Sequence, residues 1–158
     1  MEGVEEIMIL LVEDDPGDRK LIKSALLQQK FKSDIHVTES GEQALDYLNG
    51  SLAGHASCPW PDLILLDLNM PGMGGKAFLG AVKEHPDLRR IPVVILTTSD
   101  AQEDILNCYE LYAAGYIKKP MSLSDFQNIM KHIEAYWFAI CRMESKHGRR
   151  YLHAPSHH

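Results

Sequence analysis

No stretch of the 158 residues approaches the roughly 20 consecutive apolar positions of a membrane-spanning helix. The first apolar run, Ile7 to Val12, is too short and too closely flanked by acids to be a secretion signal. Cysteine is scarce: Cys58, Cys108 and Cys141 stand far apart with no C-x-x-C pair. That excludes a disulfide framework and fits reduced, inert thiols in a cytosolic setting. Ahead of the C-terminal tail, no histidines show the H-x-x-x-H or similar spacing of a transition-metal site. Positive charge is also in short supply, with 16 Lys and Arg against 22 Asp and Glu and a formal net charge of −6. Nucleic acid is therefore not the expected partner. No internal repeat and no second domain can be traced.

What is present is an alternation. Apolar runs of strand length (Ile7 to Val12, Asp34 to Thr38, the segment "DLILLD" at 62–67, Pro92 to Leu96 and Gly115 to Lys118) are separated by segments of helical period. Helices are expected over Gly17 to Gln29, with Leu21, Ile22, Ala25 and Leu26 on one face, and over Gly41 to Asn49. Others are expected over Gly75 to Glu84, burying Phe78, Leu79 and Val82, over Ala101 to Tyr112, and from Ser122 or Ser124 onward. Asp34 to Thr38 alternates and reads as half-exposed, with His36 at the surface, while "GSLAGHASCPWP" at 50–61 reads as a long turn-rich loop. Strict strand–helix alternation predicts a parallel sheet covered by helices on both faces. The expected fold is α/β, a flavodoxin-like doubly wound sheet of five parallel strands in the order 2-1-3-4-5. Residues 1–142 are assigned to this domain and 143–158 to a basic, partly disordered tail, with His157 and His158 as a tag remnant.

In an open parallel sheet, ligands bind beyond the carboxyl ends of the strands, at the switch in strand order. Strand one ends in Glu13, Asp14 and Asp15, and strand three in Asp67 with Asn69 two positions on. Strand four ends in Thr97 and Thr98, and strand five in Lys118, Lys119 and Pro120. Two carboxylates about 4 Å apart repel by roughly 4 kcal/mol at an effective dielectric near 20, so such an edge calls for a cation. Mg²⁺ suits it, because it takes oxygen ligands, keeps several waters and bridges carboxylates to phosphate. A lysine balances the remaining charge and can pair with a phosphoryl oxygen. A carboxylate between metal and lysine is placed to attack a phosphoryl group, giving an aspartyl phosphate. Asp15, Pro16 and Asp18 read as helix punctuation: an N-cap, a first-position proline and a first-turn acid. Glu13 and Asp14 read as metal ligands, since one cap does not account for three successive acids. Lys118 reads as solvated.

The motifs "LLVEDD", "LILLDLNMPGM", "VVILTTSD" and "GYIKKP", in that order over about residues 7–138, resemble the receiver domain of bacterial two-component response regulators. The resemblance implies that Asp67 is the phosphoacceptor and that Glu13 and Asp14 hold Mg²⁺ together with Asp67 and the backbone carbonyl of Asn69. It assigns Thr97 as the switch hydroxyl and Lys119, directly before Pro120, as the phosphoryl-binding lysine. Tyr116 falls where an aromatic side chain swings inward on activation. Two positions depart from the family pattern. Thr98 stands where a very small residue is usual, and is expected to narrow water's approach and lengthen the phosphoryl lifetime. Glu13 replaces an aspartate seen in many relatives.

Phe126, Ile129, Met130, Ile133, Trp137 and Ile140 recur at three- and four-residue steps, first of all as a core face. The helix is long, and Tyr136 and Phe138 flank the stripe, so an interface at its end is also expected. Its "IEAYW" ending and the extended 50–61 loop resemble stand-alone receivers that partner phytochrome-type histidine kinases, some of them dimeric. The expected function is a cytoplasmic, single-domain response regulator rather than an enzyme. It would take its phosphoryl group from a histidine kinase or phosphotransfer protein. Its output would be a protein contact, or a homodimer through helix four, strand five and helix five. The rival readings are an aspartyl-phosphate phosphohydrolase, disfavoured by Asn69 where that chemistry needs a second acid, and an adaptor that is never phosphorylated.

Overall fold

In the computed structural model, the described residues are 6–28, 32–68, 70, 72–97, 113–119, 122–124, 127, 128, 131, 132 and 135. Five strands, β1 (Glu6–Val12), β2 (Lys32–Thr38), β3 (Leu63–Leu66), β4 (Val93–Thr97) and β5 (Gly115–Lys118), form one sheet in the order β2-β1-β3-β4-β5. Every pairing is parallel. The order reverses between β1 and β3, which makes their shared carboxyl edge the switch point. Three helices are described between them: α1 (Pro16–Leu27), α2 (Gly41–Leu52) and α3 (Gly74–Glu84). A short 3-10 helix, Leu88–Arg90, leads into β4. Leu123 and Ser124 are helical, as are the described residues 127, 128, 131, 132 and 135. The helix expected over 101–112 lies outside the described residues. Among the described residues, no helix is long and apolar enough to cross a membrane.

Strand periodicity separates two cores. Met8, Leu10, Val12, Ile64, Leu66, Val93 and Ile95 face α2 and α3, where Ala44, Tyr47, Leu48, Phe78, Leu79 and Val82 are buried. Ile7, Ile9, Leu11, Leu63, Leu65 and Leu96 face α1, where Ile22, Ala25 and Leu26 are buried, with Leu123 packed against them. β1 and β3 are apolar on both faces because helices cover both. Removing each large apolar side chain from water contributes about 1.5–3 kcal/mol. At the sheet edge, β2 alternates as expected, with Asp34 and His36 exposed. The His36 ring lies 4.3 Å from that of Tyr47, centroid to centroid.

The turn-rich loop begins later than the composition suggests, since α2 continues three residues past Asn49 to Leu52. The chain then folds back on the helix. The Tyr47 hydroxyl donates to the Pro59 carbonyl at 2.7 Å, and the His55 amide donates to the Gly50 carbonyl at 3.0 Å. A Cβ on Gly50 would sit 2.6 Å from Cys58 Sγ, so the missing side chain is what admits the loop.

Candidate functional site

The sheet register builds the site. Val12 pairs with Leu66, so the next residues, Glu13 and Asp67, leave neighbouring strands side by side. The Asp67 amide donates to the Val12 carbonyl at 2.9 Å and the Glu13 amide to the Thr38 carbonyl at 3.0 Å. Strand alternation continues Ile9 and Leu11 into Glu13, and Leu63 and Leu65 into Asp67. Both acids thus extend the face that α1 covers. Glu13 is 1% exposed and Asp67 5%. One carboxylate oxygen from each of Glu13, Asp14 and Asp67 lies within 4.8 Å of the others.

Lys119, one residue past β5, brings the counter-charge. Its residue is 7% exposed, while Lys118 is exposed. Lys119 Nζ lies 2.6 Å from Glu13 Oε1, 2.7 Å from Asp18 Oδ2 and 3.6 Å from Asp67 Oδ2. Burial alone would lower the pKa of this amine. The hydrogen bonds and charges of Asp18, Glu13 and Asp67 outweigh it and hold the ammonium well above the usual lysine range. Burial pushes the Glu13 carboxyl up to about 7; Lys119 pulls it down while Asp67 adds to the rise. A cation shared with Glu13 would offset that rise by favouring the ionised carboxylate. Three hard oxygen donors from carboxylates, one partly open to solvent through Asp14, fit Mg²⁺ or a similar divalent ion.

The β1–α1 turn holds this arrangement in place. Asp15 caps α1, its Oδ2 accepting from the Asp18 amide at 2.8 Å, and Pro16 opens the helix, both as expected. The Asp15 amide in turn donates to Glu13 Oε2 at 3.2 Å. Arg19 Nη1 donates to the carbonyls of Asp14 at 2.8 Å and Glu13 at 3.2 Å. Its Nη2 lies 3.7 Å from Glu39 Oε2. After β3, Gly75 packs so tightly that a Cβ there would lie 2.6 Å from both the Asp67 carbonyl oxygen and Leu68 Cα. The Met73 amide donates to Glu42 Oε2 at 3.2 Å, tying this loop to α2.

Of the residues singled out from sequence, Glu13, Asp14, Asp67 and Lys119 meet at one edge. The Thr97 backbone closes β4 opposite Lys118 of β5, and Tyr116 pairs with Ile95. The side chains of Thr97 and Tyr116 lie outside the described residues, as do Asn69, Thr98 and Pro120. Two contributors escaped the sequence reading. Asp18 is not only a first-turn acid, because its carboxylate holds Lys119. Arg19 secures the acidic turn through main-chain carbonyls. A signal for Asp18 existed: with Ile22, Ala25 and Leu26 it follows the four- and seven-residue spacing of the buried stripe of α1.

Residues 9–133 match the family model described as the response regulator receiver domain. Response regulator Rcp1 of Synechocystis sp. is 37% identical over 130 residues, covering 82% of this chain and 88% of Rcp1. The crystal structure of the Mn²⁺-bound form of Rcp1 superposes with a TM-score of 0.74 at 37% identity, covering 83% of this chain and 94% of that one. The phosphorylated cyanobacterial phytochrome response regulator RcpA gives a TM-score of 0.77 at 38% identity, covering 86% and 96%. With its sheet order, acidic switch point and buried lysine, this chain belongs to the response regulator receiver domain family.

Proposed function

We propose that this receiver takes a phosphoryl group on an Asp67 carboxylate oxygen from a phosphohistidine of a histidine kinase or phosphotransfer protein. The P–N bond breaks as the P–O bond forms, and the imidazole keeps the released electron pair. The observation that carries this reading is the convergence of Glu13, Asp14 and Asp67, with Lys119 Nζ 3.6 Å from the acceptor carboxylate. When bound by Glu13, Asp14, Asp67 and the Asn69 carbonyl, Mg²⁺ supplies charge neutralisation for the transferring group. Lys119 then pairs with a phosphoryl oxygen, and Thr97 gives it a hydroxyl hydrogen bond. The movement of Thr97, with Tyr116 following it, shifts the surface around β5 between two populations. Protein partners, including a second copy of the chain, read that shift. Rcp1 binds Mn²⁺ and RcpA is phosphorylated in their crystal structures, which supports a divalent ion and an aspartyl phosphate here. RcpA is a phytochrome response regulator, which supports a phytochrome-type kinase as phosphodonor in the cytoplasm.

Incubation with acetyl phosphate and MgCl₂ tests the reading. Intact-mass analysis should show one acid-stable, base-labile phosphoryl group per chain, absent in chelator. Continuous hydrolysis of p-nitrophenyl phosphate would instead favour a phosphohydrolase, and no labelling at all would favour a non-phosphorylated adaptor. A Thr98→Ala variant should lose the label faster than the wild type.

A further inference from the structure

Lys119 divides its ammonium among three acids, and its two shortest contacts, at 2.6 and 2.7 Å, are to Glu13 and Asp18 rather than to the acceptor Asp67. The two short contacts differ in kind. Glu13 belongs to the acidic triad that converges for a cation, whereas Asp18 does not. The Glu13 side chain is 1% exposed, and that of Asp18 is 35% exposed at the rim. Asp18 also closes no capping box. At the third helical position an acid often reaches back to the cap amide, but here the Asp15 amide goes to Glu13 Oε2 instead. The Asp18 carboxylate spans 101 residues of sequence to reach Lys119.

A divalent ion drawn to Glu13, Asp14 and Asp67 competes with the ammonium for Glu13 and repels it. An ammonium whose side chain is 6% exposed cannot give up a partner without another. We propose that Asp18 is a positioning residue for Lys119: it retains the ammonium beside Asp67 while Glu13 passes to the divalent cation. The consequence is a linkage. With Asp18 present, cation entry costs Lys119 only one of its two close carboxylates. Without Asp18, Lys119 clings to Glu13 and opposes the cation. The proposal rests on the metal-dependent reading above and adds a residue to it.

The test is a double-mutant cycle read by calorimetric titration with MgCl₂ alone. Wild type, Asp18→Asn, Lys119→Ala and the double variant are compared at low ionic strength, with circular dichroism confirming folding. Asp18→Asn should weaken Mg²⁺ binding roughly three- to tenfold in the wild-type background, the size of an ordinary coupling between neighbours. In the Lys119→Ala background the same substitution should change it by less than about twofold. An equal loss in both backgrounds means that Asp18 acts as a distant charge and overturns the proposal, as does no loss in either. Wild-type protein that binds no Mg²⁺ refutes the metal-dependent reading itself, a distinguishable result. A second readout needs no substitution at Lys119. Its side-chain ammonium cross-peak, in ¹H–¹⁵N spectra at saturating MgCl₂, should persist in the wild type and be lost to solvent exchange in Asp18→Asn. A cross-peak indifferent to Asp18 overturns the proposal.

Discussion

The two ends of β3 each carry a buried acid, and each end of the sheet has a lysine drawn inward, half-buried Lys83 at one and buried Lys119 at the other, yet the two ends are built differently. At the amino end, Asp62 (8% exposed) accepts from the Met8 amide at 2.9 Å and donates its own amide to the Met8 carbonyl at 2.8 Å. Lys83 gives its amine to the carbonyls of Ile91 at 3.0 Å and Arg89 at 3.1 Å. Burial lowers its pKa. At the carboxyl end, Asp67 faces two further acids, and Lys119 is held above the ordinary lysine range by three. The amino-end groups complete the backbone's own hydrogen bonding and so hold strands and a 3-10 helix in register. The carboxyl-end groups depend on each other's charge. Three acids gathered beside one ammonium call for a further positive charge, which a divalent ion at Glu13, Asp14 and Asp67 would supply. Burial of an acid does not by itself mark function; the chemistry around it does.

If the same change had the same effect at both ends, the two would not be built differently. The largest expected effect is that of Asp67→Asn, which should abolish acetyl phosphate labelling while leaving the melting temperature unchanged or higher, because a charge leaves a crowded acidic edge. A labelled Asp67→Asn protein would show that the acceptor lies elsewhere. Next in size is Lys119→Ala. Removing one partner of a buried ionic cluster strands Glu13 and Asp67, costing about 3 kcal/mol by urea denaturation in chelator. Saturating Mg²⁺ should recover most of that loss, since the cation replaces the ammonium as counter-charge. A deficit that Mg²⁺ leaves untouched would mean that the ammonium does not balance those acids.

Glycines give a third and smaller contrast. Gly75→Ala drives a Cβ to within 2.6 Å of the Asp67 carbonyl oxygen, and Gly50→Ala drives one equally close to Cys58 Sγ. Each should cost about 1–3 kcal/mol as an overpacked site. Only Gly75→Ala should also slow labelling, because only there does the displaced backbone belong to Asp67, the proposed acceptor. Equal labelling rates would show that the β3–α3 loop tolerates the shift.

Most of the sheet was legible because both kinds of signal agree: apolar runs mark doubly covered strands, and the polar residues that end them fall on one edge. β5 matches the expected Gly115–Lys118 span, and α3 begins one residue early. α2 ran past its expected end because Gly50 reads as a breaker, while its real role is to admit Cys58. Glu13, Asp14, Asp67 and Lys119 were legible because a parallel register turns positions after strands into neighbours. Asp18 was not, because an acid in the first helical turn already has an adequate local explanation. Only its place on the buried stripe, above Ile22, separates the two roles. Arg19 was hidden for another reason, since its partners are carbonyls that every residue possesses.

The smallest expected effect is at the amino end, and it is the sharpest control. Asp62→Asn is chemically the same exchange as Asp67→Asn, made five positions earlier on the other side of the same strand. The amide oxygen of asparagine can still accept from the Met8 amide, so the reciprocal pair that aligns β1 with β3 survives. The cost should stay within about 1 kcal/mol, the ordinary net worth of one hydrogen bond. Mg²⁺ affinity and labelling by acetyl phosphate should match the wild type, because the substitution leaves the acids at the carboxyl edge in place. A fall in either would mean that charge at one end of β3 is felt at the other, and that the two ends are coupled rather than separately built. A stability loss of several kcal/mol with unchanged labelling would mean instead that the negative charge of Asp62 itself, and not merely its hydrogen bonding, holds the amino end together.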